Sequence, residues 1–469
     1  MAHATIAGLA ADSSSGVSAA SIERLRPASP LGQLSWALFD GGRGPYNVLV
    51  NTFVFSAYFS TVVIADPVRG QAEWSYLTAI AAFLVALGAP VLGAIADAGG
   101  RRKPWMFACV ILGVPSMAAL WFATPNMAPG FSWVFLAPIG GTLAFEYSAI
   151  FCNAMLPNVA PPGRIGFLSG AGFALGNFFG IVLFLFFLFG WTWNPHPLFG
   201  VNPAAHEPER LVGVMAALCL AVFAIPCFLF TPDSPGTSRS VSGAIGHGLR
   251  SLVQTLTRLG RYRNVMVFIV ARMIFNEGFI VLILFTGVFA AGILHWTSEM
   301  LIIQGLFNSV VATCAGFFAG WLDTRIGSKR STMVFVAGCV LANVFLCTVT
   351  PHSVLFIEVA PPAAGVHSLF STLPDKLFFI TQAFVALMVT GGFVTSRSLM
   401  AKVSPPAMLN EFFGIYAMSG TATSFLGPLA IGLLTSAFHS QRAGVAVGVV
   451  FLLGGLMVLT RVREAEKTA

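Results

Sequence analysis

Five ionisable side chains stand inside long apolar stretches of this chain: Asp40, Arg43, Glu146, Arg272 and Glu277. An ionised group in hydrocarbon costs about 2.5 to 3.5 kcal/mol on insertion scales, so each needs a partner, water or a bound solute. Asp40 and Arg43 are three residues apart, the spacing at which a helix brings opposite charges together to neutralise one another. Arg272 and Asn276 share a face at four-residue spacing, whereas Glu277 is rotated away and must find its partner on another segment. Glu146, next to Tyr147, is likewise without a partner in its own helix. A desolvated carboxyl of this kind is a candidate proton carrier. In the competing reading Arg272 crosses to Glu146 or Asp40 and braces the structure. With Tyr46 and Asn177 these residues form the candidate cavity set. No histidine lies in mid-span, which argues against a histidine relay, and no grouping has metal-ligand or catalytic spacing. Neither a metal nor a cofactor is expected.

The elements that must position these groups are set by composition. Of 469 residues, 56% are hydrophobic and only 9% charged, against about 25% charged in an ordinary soluble domain. The apolar residues fall into runs of about twenty, enough to cross a hydrocarbon layer of about 30 Å as a helix. Twelve such runs are expected, near residues 33–64, 73–96, 105–124, 132–156, 165–190, 211–231, 265–291, 298–322, 332–350, 377–400, 412–437 and 444–461. The fold class is therefore an all-α membrane protein with the lipid bilayer as solvent. Residues 1–32 are expected to be a disordered tail, 33–231 one six-helix bundle, 232–264 a linker with an amphipathic helix, 265–461 a second bundle, and 462–469 a short tail.

The net charge of +7 does not point to nucleic acid, because the basic residues flank apolar runs and no basic stripe with stacking aromatics is present. With both termini cytoplasmic, the inner segments hold nineteen Lys and Arg and the outer segments four, namely Arg69, Arg210, Lys376 and Arg442. That asymmetry orients the chain by the positive-inside rule. The seven cysteines all fall in spans and have no CxxC pairing, so they are expected to be small packing residues. Gly166, Gly170, Gly172, Gly176 and Gly180 give the fifth span a small-residue face for close helix packing. The nearby Phe184, Phe186, Phe187 and Phe189 are expected to face lipid. Gly41, Gly42, Gly44 and Pro45 predict a broken or kinked first span.

Three features recur in order across the linker. An acid precedes glycine in the first span of each half, as Asp40-Gly41 and Glu277-Gly278. The second connection carries Gly93, Asp97, Gly100, Arg101, Arg102 and Lys103 in one half and Asp323, Gly327, Lys329 and Arg330 in the other. The connection before the fifth span carries Val159-Ala160-Pro161-Pro162 and Val403-Ser404-Pro405-Pro406. In the second connection Gly100 permits a tight turn, while Asp97 can accept hydrogen bonds at a neighbouring helix N-terminus.

This repeat and the Gly93 to Lys103 segment resemble the major facilitator superfamily, whose parallel six-span repeats handle substrate between the halves near the midplane. Further segments resemble the vacuolar amino-acid effluxer-like, or unknown major facilitator, family. They are Trp36 to Asp40, Asn153 to Pro157, Ala271 to Gly278, Ser396 to Leu399, Glu411 to Tyr416 and Leu426-Gly427-Pro428. Gly41 to Pro45 and Thr421 depart from that family's pattern. The resemblance implies alternating access by two pseudo-symmetric six-helix bundles and a conformational latch at the two second connections. It also implies a small-molecule substrate such as an amino acid. Proton coupling, export and a monomer in the plasma membrane are the accompanying expectations, with a passive uniporter or a non-transporting sensor as alternatives.

Overall fold

A computed structural model describes residues 28–97, 101–127, 133–161, 164–233, 246, 262–359, 369–405 and 409–464. Residues 1–27 of the expected terminal tail and most of the expected amphipathic linker lie outside the described residues, while residues 30–32, also assigned to that tail, begin the first helix. Among the described residues, twelve helices are long and apolar enough to cross a membrane. In chain order the first six are α1 (Pro30–Val63), α2 (Pro67–Asp97), α3 (Lys103–Phe122), α4 (Trp133–Val159), α5 (Ile165–Thr192) and α6 (Glu207–Phe230). The second six are α7 (Arg263–Leu284), α8 (Ser298–Ile326), α9 (Ser328–Thr348), α10 (Leu373–Val403), α11 (Phe412–Phe438) and α12 (Gln441–Thr460). A short helix, Thr286–Ile293, prolongs α7.

Helices α1 to α6 pack chiefly with one another, as do α7 to α12, giving two pseudo-symmetric bundles. In the first, α1 lies against α5 and α6; in the second, α7 lies against α12 and both segments of α11. Because each half holds six spans, Pro30, Phe230, Arg263 and Thr460 share one end of the molecule, here the terminal end; the opposite end is the far end. The strong contacts between halves gather toward the far end, where α2 meets the last part of α11 and the outer part of α1 meets Thr286–Ile293.

The regular α-helix of α1 ends at Pro45, after its glycine-rich stretch, and Tyr46–Phe53 continues in wider i→i+5 turns. The glycines of that stretch are also contact points. A Cβ on Gly44 would lie 2.8 Å from Gly176 Cα, one on Gly41 would strike Leu175, and one on Gly42 would strike Phe223. On the fifth span Gly172, Gly176 and Gly180 supply this close packing against α1, while a Cβ on Gly166 or Gly170 would meet no atom within 4 Å. The phenylalanine cluster also differs from expectation. Phe184 and Phe187 are buried and only Phe189 is well exposed, because Phe184 packs edge-on against Phe53 of α1 and abuts Gly305 of α8.

Candidate functional site

The buried charges sort into one cluster per half. In the first half, Arg43 is 7% exposed and pairs with Asp40 one helical turn before it. Its other guanidinium nitrogen donates to the Phe145 carbonyl of α4 at 3.0 Å, and the Phe145 ring lies beneath it at 5.3 Å. Asp40 reaches this position because Gly172 leaves room for it: a Cβ there would sit 2.5 Å from the carboxylate. Glu146 follows Phe145 and lies in the electrostatic field of Arg43. Tyr46, one turn further along α1, donates its hydroxyl to the Pro138 carbonyl at 2.8 Å and approaches Thr142 Oγ1 at 3.3 Å. Tyr147 points elsewhere, with its hydroxyl on the Leu84 carbonyl of α2 at 2.5 Å. Asn177 is exposed and donates to the Phe173 carbonyl of its own helix at 3.1 Å.

In the second half the organising feature is an interruption of α11 between Thr421 and Leu426. Three polar residues of α7 serve the freed backbone. Arg272 donates to the Tyr416 carbonyl at 2.7 Å and to Ser419 Oγ at 2.6 Å, with its guanidinium 3.7 Å from the centre of the Tyr416 ring. Asn276 donates to the Gly420 carbonyl at 3.4 Å. Glu277, 1% exposed, accepts the Gly427 N–H at 2.8 Å, at the start of the segment Leu426–Phe438. Its other carboxylate oxygen is buried without a hydrogen-bond partner among the described residues. Arg272 therefore does not cross to Glu146 or Asp40. Cation and carboxylate both turn to α11, because a helix interrupted in hydrocarbon must have its backbone groups satisfied from neighbouring side chains.

The far-end closure uses residues that were not singled out in the sequence. Gln71 of α2, fully buried, donates from Nε2 to Thr435 Oγ1 at 2.9 Å and to the Gln441 carbonyl at 3.0 Å. The Tyr76 hydroxyl lies 3.1 Å from Ser436 Oγ. Ser298 of α8 donates to Glu209 of α6 at 2.9 Å, and the Trp193 indole N–H donates to Glu299. Only the turn-rich register of Gln71 and Gln441 at helix starts could have flagged them.

At the terminal end the described contacts of the expected latch residues Arg102, Asp323 and Lys329 include bonds within their own halves. Arg102 donates from its side chain to the Ala96 carbonyl at 3.2 Å, and Lys103 Nζ donates to the Phe228 carbonyl at 2.9 Å. In the second half Asp323 bonds Ser328 and faces Lys402 Nζ at 3.5 Å, while Lys329 Nζ donates to the Thr460 carbonyl at 2.9 Å. Gly327 sits at φ +87°, a region that favours glycine, and makes the turn from α8 into α9. Arg101 is exposed and Arg330 is exposed. Asp97 ends α2, Gly93 has no atom within 4 Å of a Cβ placed on it, and Gly100 lies outside the described residues.

Comparison with solved structures gives the same architecture. A variant of the nucleoside transporter NupG superposes with a TM-score of 0.65 at 14% identity, over 92% of this chain and 100% of that one. A D-xylose-proton symporter gives 0.63 at 13% identity, over 93% and 99%. Among proteins of known sequence, the MFS-type transporter YxiO of Bacillus subtilis is 26% identical over 443 residues, covering 92% of this chain and 95% of that protein. Autophagy-related protein 22 of Cryptococcus neoformans is 22% identical over 309 residues, or 63% of this chain and half of the longer relative. The model of the family described as vacuole effluxer Atg22 like matches residues 67–164 and 163–469. With that match running through both bundles, this chain is a transporter of the major facilitator type and belongs to the Atg22-like vacuole effluxer family.

Proposed function

We propose that this chain exports a small polar solute by alternating access, with the far end closed and the terminal end open in the conformation described. The observation that carries this reading is the distribution of contact between the halves. Polar bonds from Gln71, Tyr76, Glu209 and Trp193 join them at the far end. Toward the terminal end, Cβ atoms built on Gly93, Gly166, Gly316, Gly320 and Gly414 meet nothing within 4 Å among the described residues. Those small residues lie on α2, α5, α8 and α11 and are the surfaces that would meet when the terminal end closes.

The two charged clusters supply the candidate site: Asp40, Arg43, Tyr46 and Glu146 in one half, Arg272, Asn276 and Glu277 in the other, with Tyr147 and Asn177 as peripheral members. Two cations and three carboxylates at mid-span suit a zwitterion, which agrees with the amino acids implied by the family resemblance. Glu277 is the first choice for a proton carrier because one of its oxygens has no hydrogen-bond partner among the described residues. Both termini are assigned to the cytoplasm on the Lys and Arg asymmetry, and the second connections are the proposed latch for the alternate state.

A second reading is favoured by the Gly427 N–H: Glu277 caps a helix segment and braces the interruption of α11, with transport passive. Counterflow of labelled amino acids in proteoliposomes tests transport itself. Glu277→Gln then separates the readings. Loss of accumulation driven by a pH gradient with exchange retained supports coupling through Glu277. Accumulation equal to that of the parent overturns it.

A further inference from the structure

Helices α1 and α5 of the first half meet α8 of the second at one apolar contact. The Phe53 ring packs edge-on against Phe184 with centroids 5.9 Å apart, and a Cβ on Gly305 would lie 3.0 Å from Phe184 and 3.3 Å from Phe53. Both α1 and α5 run from the terminal end to the far end, and α8 runs back. Residues before Phe53 and Phe184, and residues after Gly305, therefore lie on the terminal-end side of the contact. That side carries four asparagines: Asn47 and Asn51 on α1, Asn177 on α5 and Asn308 on α8.

Helical spacing brings them toward the seam between the halves. Asn177 stands two turns before Phe184 on the same face of α5, about 10 Å from it along the helix. Asn308 is one turn after Gly305. Asn47 is two turns after Asp40 on the same face of α1, and the room for Asp40 is made by Gly172 of α5. Asn51 follows Asn47 within one of the wide turns. Asn177 is exposed and the other three are partly so. A polar side chain in a span is costly unless it meets protein, water or a solute.

Their hydrogen bonds leave a donor on one wall and an acceptor on the other. Asn177 Nδ2 donates to the Phe173 carbonyl of its own helix at 3.1 Å, so its Oδ1 is left as an acceptor. Asn308 Oδ1 accepts the Gln304 Nε2 at 2.6 Å, so its Nδ2 is left as a donor. The side chains of Asn47 and Asn51 make no hydrogen bond among the described residues.

We propose that these four asparagines form a side-chain subsite and that the preferred solute is an amino acid bearing a carboxamide, such as glutamine. The inference rests on the amino-acid transport proposed above. A carboxamide matches the two walls: its oxygen accepts from Asn308 Nδ2 and its NH2 donates to Asn177 Oδ1, with Asn47 and Asn51 able to serve either part. The zwitterionic end is directed to the charged cluster of Asp40 and Arg43, since the four residues from Arg43 to Asn47 rise about 6 Å. That suits an extended glutamine, from its α-carboxylate to its side-chain amide. A charged side chain finds no counter-ion among the asparagines, and an apolar one leaves their polar groups unpaired, which is how a hydrogen-bonding site rejects it. The rings of Phe53 and Phe184 close the seam on the far-end side of the subsite.

Counterflow in proteoliposomes, run with labelled glutamine and in parallel with labelled leucine, tests the subsite. The parent should prefer glutamine to leucine about tenfold or more in half-saturating concentration, with asparagine a good competitor and glutamate and lysine poor ones. Asn177→Leu and Asn308→Leu should each lower that preference about tenfold. Equal affinity for leucine and glutamine in the parent, or a preference that survives both substitutions, overturns the subsite and leaves amino-acid transport standing. Counterflow of no amino acid overturns that transport and the subsite with it. Should a leucine variant fail to fold, Asn47→Ala, at a partly exposed position with no hydrogen bond to lose, decides in its place by the same ratio.

Discussion

Asp233 and Glu464 hold equivalent posts in the two halves: each follows the sixth helix of its bundle, and its carboxylate accepts backbone N–H groups where the third helix begins. Asp233 Oδ1 is 2.9 Å from Arg102 N. Glu464 takes Ser328 N at 3.1 Å and Lys329 N at 2.9 Å with its two oxygens. The free N–H groups and the positive dipole end of a helix explain why an acid is placed there twice. Asp233→Ala and Glu464→Ala should each destabilise the protein by about 1 kcal/mol, whereas Asp233→Asn, still a good cap, should cost less than half of that. Thermal unfolding in detergent is the measurement, and equal melting of the Ala and Asn variants would remove the capping role.

The pair formed by Asp40 and Arg43 is largely buried, and removing one partner of a buried pair costs up to about 3 to 5 kcal/mol because the other charge is left behind. Asp40→Ala should therefore reduce the folded yield sharply. Asp40→Ala combined with Arg43→Met should recover most of it. A double variant no better than the single one would show that the two side chains are not energetically coupled, as a double-mutant cycle reads directly.

Gly44 and Gly176 allow the backbones of α1 and α5 to touch. The atoms nearest a Cβ on Gly44 are all backbone atoms of Gly176, so there is no side chain to move aside. Gly44→Val should disrupt packing by several kcal/mol, while Gly166→Val, with no atom near it, should leave stability within about 0.5 kcal/mol of the parent. Fluorescence-detected size exclusion after graded heating distinguishes the two.

Gln71 joins the halves through two hydrogen bonds in a site with no solvent exposure. Gln71→Leu should weaken the far-end closure by about 1 to 3 kcal/mol, or about thirtyfold in population at the middle of that range. A single cysteine at Ser436 should then react correspondingly faster with a maleimide supplied from the far-end side. An unchanged rate would mean that the apolar contacts close this end unaided.

His206, just before α6, has its Nδ1 3.7 Å from Glu209 Oε2, and the nearby carboxylate raises the imidazole pKa above its ordinary 6.5. A raised folded-state value means the stabilisation is complete below the unfolded-state pKa and disappears as pH rises through the folded-state one. His206→Gln should lower the melting temperature near pH ~5.5 and have little effect near pH ~8.5. The same difference at both pH values would exclude an ionic contribution.

Helix number, order and approximate ends were legible in the sequence because in lipid only a long apolar helix can satisfy its own backbone. Asp40 with Arg43 was legible too, since both lie within one helical turn. The partners of Arg272 and Glu277 were not, because they depend on where α11 is interrupted. Pro428 lies in the first turn of Leu426–Phe438, where proline costs little, and so marks a helix start that a hydropathy run conceals. Gln71, Thr435 and Gln441 were passed over for a different reason: uncharged and solitary on their helices, they acquire meaning only when the halves meet. Asp233 and Glu464 looked like ordinary connection residues until the tertiary fold brought helix starts against them.

The wide turns of α1 beyond Pro45 set a condition on any cysteine scan of that helix. Each i→i+5 turn takes about one residue more than an α-turn, so the face presented slips by roughly 100° per turn. Reactivity plotted along Pro30–Pro45 will repeat every three to four positions, then change period within Tyr46–Phe53. A water-facing stripe extrapolated from the first segment would pass onto the packed side of the second, and Tyr46, buried at 1% exposure, stands at the seam between the two periods.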